Sequence, residues 1–505
     1  MKKVYIILLS VVMIFAVTSC GQTTDNTTVL NTTTEGVTDM TTTTNYISVY
    51  ELNHMTADDI DITKQYFEHY IRFAEEDVFI MSSLTISGLD YQTGTYSQDG
   101  NTINATIGLK NYTFTLNETN HTITYEGTRN RQDIVATYVL NDQYETLTTT
   151  GDVYFDEELF GEDKSLYNFY NYCPSIMLMD NELYIWYCSN EHSNYIVDHI
   201  AFRKGTLNSD GLWSFTEKQL VLSPSEGAWD QVHDCDPTVI KGEFNYQGED
   251  YNFLMAFLGC VTMDNSNNEV GIAVAKNPEG PWIKIEEHNP IANYYESDEY
   301  TNEVWTWGFG QPSLVSVDKS GKVLLFYTRG LSTGTSTYVE YWDFSNLDHP
   351  VLLNENVLST SGIRNINGGN DIIGNADFAY DPVRNRIYTV RDTVPRQPED
   401  PNFISDNVPI SFTNLAEEDT FVGETLFSDD YAWLNHDFIT SDISGFARNH
   451  NPGLITDEYG WLISPNEIPV IYTVSILNTE GGSRTGWWKS LHSYRLYGYM
   501  SIIVE

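Results

Sequence analysis

Apolar and polar positions along this chain fall into a phrase that recurs five times. It opens at Cys173-Pro174-Ser175-Ile176, Asp236-Pro237-Thr238-Val239, Gln311-Pro312-Ser313-Leu314, Asn375-Ala376-Asp377-Phe378 and Asn451-Pro452-Gly453-Leu454. Each opening leads into an apolar run, a polar turn and a second strand-like run, as in Met177 to Tyr187 and Lys322 to Thr328. The openings lie about 63 to 75 residues apart, room for a four-stranded unit and its loops. A long, regular period marks a repeat architecture. The pattern therefore predicts an all-β protein, with a five-bladed β-propeller over residues 154–505. In such a fold the first strand of each blade starts beside the central axis. The residues that open the phrase then converge on one funnel although they are far apart in sequence.

Residues 47–150 read differently and predict a small α+β accessory domain. Thr56 with Asp58 and Asp59 looks like a helix start, and Ile62, Tyr66, Phe67, Tyr70, Ile71 and Phe73 keep helical spacing. Alternation follows over Ile103 to Leu109, Tyr112 to Leu116, His121 to Tyr125 and Ile134 to Leu140. No catalytic constellation is legible there, so a spacer or accessory role is expected. Two longer inserts, Glu286 to Trp307 and about Gln397 to Asn435, interrupt the propeller, and inserts of that size shape clefts.

The first 20 residues read as an address. Lys2 and Lys3 precede an apolar run from Val4 to Val17, then Thr18-Ser19-Cys20-Gly21. A basic start, a short apolar core and small residues before a cut describe an export signal. The run is short for spanning a bilayer. Its ending resembles a bacterial lipobox, which implies lipidation at Cys20. Residues 21–46 form a threonine- and asparagine-rich linker without an apolar face. The expectation is an exported lipoprotein of the cell membrane or surface, touching the membrane through its lipid alone.

Composition narrows the partners. Twenty-six basic against 71 acidic residues give a net charge of −45, which repels nucleic acid and anionic lipid. The 34 tyrosines and 11 tryptophans suit sheets, and also clefts where aromatic faces cover the C–H patches of sugars. Four cysteines remain beyond Cys20. Cys173 and Cys188 flank a turn at Asp180-Asn181, and Cys235 and Cys260 flank one at Gln247-Gly248. Each pair then faces across a hairpin, as a disulfide or as two buried thiols. No metal-ligand spacing accompanies them, and no glycine-rich phosphate loop is present, so no cofactor is expected. A structural calcium ion is left open.

The densest chemistry lies between Trp229 and Pro237, where Asp230, His233, Asp234 and Asp236 crowd together. On an extended chain Asp234 and Asp236 point to one side, and two close carboxylates raise one another's pKa. With the phrase at 236–240 and Ala273-Val274-Ala275-Lys276-Asn277-Pro278-Glu279-Gly280-Pro281-Trp282, the chain over about 155–500 resembles glycoside hydrolase family 43. That is the arabinofuranosidase and β-xylosidase type of five-bladed propeller. The resemblance implies an aspartate base before the first proline, an aspartate that tunes pKa in the second blade, and a glutamate acid two residues before the third proline. Asp236 matches the second position. Cys173 occupies the first, and Gly310, next to Gln311, the third.

Inverting hydrolysis needs both an acid and a base. If it survives, Asp236 keeps its place among the catalytic carboxylates and the missing roles have moved among Asp230, Asp234, Glu303 and Asp377, with His233 or His450 as an alternative proton carrier. Trp229, His233, Trp305, Trp307, Gln311, Arg329 and His450 are then the candidate sugar contacts, with Arg329 and Arg391 read as chiefly structural. The expected function is a surface-anchored glycoside hydrolase acting on poly- or oligosaccharide side chains. The alternative is a glycan-binding lipoprotein on the same propeller, without turnover.

Overall fold

The computed structural model describes residues 46–503, apart from 75–76, 86–87, 130, 142–148, 156–158, 160–169, 191–194, 210–212, 298–299, 301–305, 332–333, 367, 394–404, 417–424, 429 and 478–493. The expected signal segment with Cys20 and nearly all of the expected linker lie outside the described residues, as do Glu303 and Trp305. What is described is all-β. Its helical pieces are a 3₁₀ turn at Thr63–Gln65 and one turn at Ser441–Ser444.

The α+β expectation for the N-terminal region is corrected. Eight long strands run up and down in sequence order: Tyr46–Ala57, Tyr66–Ala74, Val78–Thr85, Gly88–Asp99, Thr102–Ile107, Lys110–Asn117, Thr122–Arg129 and Gln132–Leu140. Each is antiparallel to the next, and the last pairs back with the first, closing a barrel. The expected helix is the strand Tyr66–Ala74. Ile71 and Phe73 enter the barrel core, while Tyr70 and Arg72 on the other face are also buried. A strand covered on both faces reads as a nearly continuous apolar run, which mimics helical spacing. The supposed helix start is a hairpin tip, where Asp58 and Asp59 both have positive φ.

The rest is a β-propeller of four-stranded antiparallel sheets. Their first strands are Tyr172–Met179, His233–Tyr246, Gly308–Ser316, Asp377–Asp381 and Phe446–Thr456. The outermost strand of the last sheet, Asp152–Phe155, comes from the start of the propeller and pairs with Arg495–Ile502. Apolar faces pack sheet against sheet around a circle. Trp186 and Phe202 of the first meet Phe253 and Met255 of the second, and Leu254 and Ile272 of the second meet Leu325 of the third. Phe326 stacks on Phe378 at 4.1 Å. Val390 joins Val470, and Ile471 joins Ile185 to complete the round.

The recurring phrase builds the hub of this circle. All five residues that open it have left-handed backbone, with φ of 51° at Cys173, 47° at Asp236, 51° at Gln311, 47° at Asn375 and 42° at Asn451. In four of the sheets the strand register breaks at this point, as a bulge does. The third residue of the phrase clamps the next sheet. Ser175 Oγ accepts from the Val239 amide at 3.1 Å and Thr238 Oγ1 from Leu314 at 3.0 Å. Ser313 Oγ accepts from Phe378 at 3.0 Å and Asp377 Oδ2 from Leu454 at 2.8 Å. At the fifth junction the third residue is Gly453. There the strands pair directly in parallel, Ile176 opposite Ile455.

Candidate functional site

Asp236 sits at the hub, 5% exposed. Burial pushes its carboxyl up to about 7, against the stabilising thiol of Cys173 and amide of Gln311; the charge of Asp198 adds to the rise. Beside it lies a disulfide, Cys188–Cys235. Asp236 Oδ1 is 3.2 Å from Cys235 Sγ and 3.5 Å from Cys188 Sγ. Neither sulfur of a disulfide can donate, so an oxygen held against them is best carried as a protonated O–H. The Asp236 amide donates to Cys188 Sγ at 2.8 Å, and Tyr172 Oη–H to Cys235 Sγ at 2.9 Å.

This bridge corrects both expected pairs. Cys188 directly opposes Tyr172 rather than Cys173 in the first hairpin, and the bridge runs from the first sheet to the second instead. Cys173 and Cys260 are free. Cys173, Cys188 and Asp236 bring ligand-type atoms within 4.8 Å of one another. With Cys188 oxidised there is no second thiolate, so the set does not suit a metal ion. Burial, then the charges of Asp236, Asp392 and Asp377, push the Cys173 thiol well above its ordinary value. It is a poor nucleophile.

The ring continues through amides. Asn451 Nδ2 lies 3.9 Å from Cys173 Sγ, and Asn451 N donates to Asp392 Oδ1 at 2.8 Å. Asn375 Nδ2 reaches the other oxygen of Asp392 at 2.7 Å. His450 Nδ1 meets Asn451 Oδ1 at 2.6 Å, and its ring lies 4.7 Å from that of Tyr494. Burial pushes this imidazole down to about 3, so it is neutral. Tyr494 stacks on Tyr170, and both rings contact Tyr172. Trp307 packs against the same aromatic wall. His233 Nδ1 lies 2.8 Å from Asp198 Oδ2, both residues 2% exposed. The Asp198 amide donates to the same nitrogen at 3.1 Å. Among the described residues, Gln311 Oε1, His233 Nε2 and His450 Nε2 are buried without a hydrogen-bond partner.

Several expected site residues are elsewhere. Asp234 does not share a site with Asp236, because the left-handed turn at Asp236 breaks the alternation that would align them. Asp234 and Asp230 instead both grip Lys284 Nζ, at 2.6 Å for Asp234, with both carboxylates fully buried. Burial holds Asp234 well above the usual carboxylate range, against the pull of Lys284. Trp229 packs on Phe257 and over Gly259 and Gly271, filling the sheet rather than lining the funnel. Asp377 accepts from Ser313 Oγ at 2.6 Å as well as from the Leu454 amide, so both oxygens are engaged. Arg329 lies 3.2 Å over the Tyr338 ring and donates to Tyr327 Oη at 2.8 Å; Arg391 is fully buried against Asp371 at 2.6 Å. Asp198, Asp392 and Tyr172 join the hub without having stood out in the sequence. Tyr172 directly precedes a phrase and Asp392 follows Arg391, and those adjacencies are the signals available.

No protein-family model matches the chain, and no curated protein does. Many solved structures with similar strand arrangement are glycoside hydrolases of families 43 and 62. An α-L-arabinofuranosidase from Podospora anserina, in complex with cellotriose, is 11% identical over 71% of this chain and 98% of its own, with a TM-score of 0.39. A family-43 enzyme from Xanthomonas citri complexed with xylose is 11% identical over 70% and 91%, with a TM-score of 0.41. An endo-arabinase from Bacteroides thetaiotaomicron is 13% identical over 70% and 98%, with a TM-score of 0.37. Likeness at this level assigns no residue a role.

Proposed function

We propose that this chain is a carbohydrate-binding protein, its four-stranded sheets forming the blades of a five-bladed propeller, and that the hub holds the end of a glycan without hydrolysing it. The observation that carries this reading is that Gln311 Oε1, His233 Nε2 and His450 Nε2, on the first strands of three of the sheets, are buried without a hydrogen-bond partner. Leaving such a group unpaired costs about 1–3 kcal/mol each, a cost that a polyhydroxylated ligand would offset. Trp307, half-buried against the buried tyrosine wall, is the aromatic face on which a sugar ring would stack. Against turnover, Asp230 and Asp234 are both held by Lys284, and Asp377 is spent on the strand clamp. We further propose that Cys20 carries a lipid that holds the protein at the cell surface.

One observation favours hydrolysis as a second reading. A carboxyl at about 7 is half protonated at neutral pH and suits a proton donor. It needs a second carboxylate about 6.5–9.5 Å away, and Glu303, outside the described residues, is the remaining candidate. Purified protein tested on a panel of p-nitrophenyl glycosides and on a glycan array separates the two readings. Array binding without nitrophenol release supports the binding protein. Release that disappears in both Asp236→Asn and Glu303→Gln transfers the case to the hydrolase.

A further inference from the structure

The N-terminal barrel encloses a cavity of about 440 Å³, in the range of small-molecule sites. An eight-stranded barrel is just wide enough for side chains to fill, or to hold one small ligand. Here part of the interior is packed by Ile71, Phe73, Phe79, Ile103 and Ile123. The remainder stays open between the rings of Tyr66, Tyr112, Tyr125 and Tyr138 and the side chains of Met55 and Met81. Such walls suit a flat or alicyclic apolar body.

The polar groups of the cavity are one-sided. His69, 5% exposed, stacks on Tyr66 at 5.0 Å and meets Tyr138 Oη at 3.4 Å. Burial, and then the positive charges of Arg129 and Arg72, push its imidazole down to about 3, so no cation forms within. Lys110 and Arg129 are exposed and line the cavity, and no acidic residue lines it. Between residues 46 and 140 the sequence nonetheless holds 13 acidic and five basic residues. A basic lining in so acidic a barrel is a selective feature.

We propose that the barrel is a binding cup for a small amphipathic organic anion, its aromatic or alicyclic body between the tyrosines and its acid group toward Lys110 and Arg129. This site is built from other residues than the propeller hub and does not depend on the glycan reading. The test uses the full exported chain with two fluorescent probes, 1-anilinonaphthalene-8-sulfonate and its uncharged counterpart N-phenyl-1-naphthylamine. The wild type is expected to bind one sulfonate probe per chain, saturably. Lys110→Gln with Arg129→Gln should weaken the sulfonate about tenfold and leave the neutral probe within about twofold. Met81→Trp, which fills the cavity, should abolish binding of both while the circular dichroism stays that of the wild type. Absence of saturable binding overturns the proposal. So do equal losses for the two probes in the double variant, or unchanged sulfonate binding in it. These exposed-position substitutions decide the matter even if Met81→Trp does not fold.

Discussion

Asp236 is held in a place where its neutral form is favoured, and that has a definite pH signature. Its folded pKa, about 7, lies above the ordinary carboxylate value. Between about pH 4 and 7 the folded state therefore holds a proton that the unfolded state has released, and stability falls as pH rises through this window. Asp236→Asn removes the effect, so its stability relative to wild type should improve by about 1–3 kcal/mol between pH 5 and 8, read by urea unfolding. His450 has the opposite sign. Its pKa of about 3 is depressed by burial, so stability is lost as pH falls from about 6.5 toward 3. His450→Phe should flatten that acid limb.

Left-handed backbone suits Asn and Asp far better than Gln or Cys. Gln311→Asn should therefore raise stability by about 1 kcal/mol, while its shorter amide weakens the ligand. The polar residue before each proline was legible as a hub residue. The partnering of Asp234 was not, because alternation assumes an extended chain and says nothing of a left-handed residue inside it.

At the scale of elements, the phrase divides its work among its positions. The opening residue turns the chain, and the third residue clamps the neighbouring sheet through a side-chain oxygen in four of five cases. Asp377→Ser should keep the clamp at little cost. Asp377→Ala should lose about 1–2 kcal/mol by thermal or urea unfolding, leaving the Leu454 amide unpaired. The fifth junction cannot take a side chain, since a Cβ on Gly453 would meet Pro174 O at 2.1 Å. Gly453→Ala should therefore destabilise by about 1–3 kcal/mol or prevent closure of the ring.

The series Ser, Thr, Ser, Asp, Gly at this third position was in plain view, yet its meaning depends on which strand lies alongside. The barrel strand read as a helix failed for a related reason. Periodicity reports which positions are covered, and a strand covered on both faces loses its period of two.

For the molecule as a whole, the repeat length made the propeller legible, because each unit needs partners on both sides to bury its faces. The disulfide was not legible: hairpin geometry suggests bridges within a sheet, whereas Cys188–Cys235 joins the first sheet to the second, 47 residues apart. Replacing both with serine should cost about 2–4 kcal/mol, and thiol titration of the unfolded oxidised protein should find Cys173 and Cys260 reactive but not this pair. The central claim is that the hub binds a glycan and that the described carboxylates do not hydrolyse it. It is tested most directly by titration calorimetry of the best oligosaccharide from an array, with product analysis of the same samples. One site per chain, about a tenfold loss in Gln311→Ala and intact sugar after prolonged incubation are the expected results. Shortened sugar in the wild type but not in Asp236→Asn, or binding untouched by Gln311→Ala, would contradict the claim.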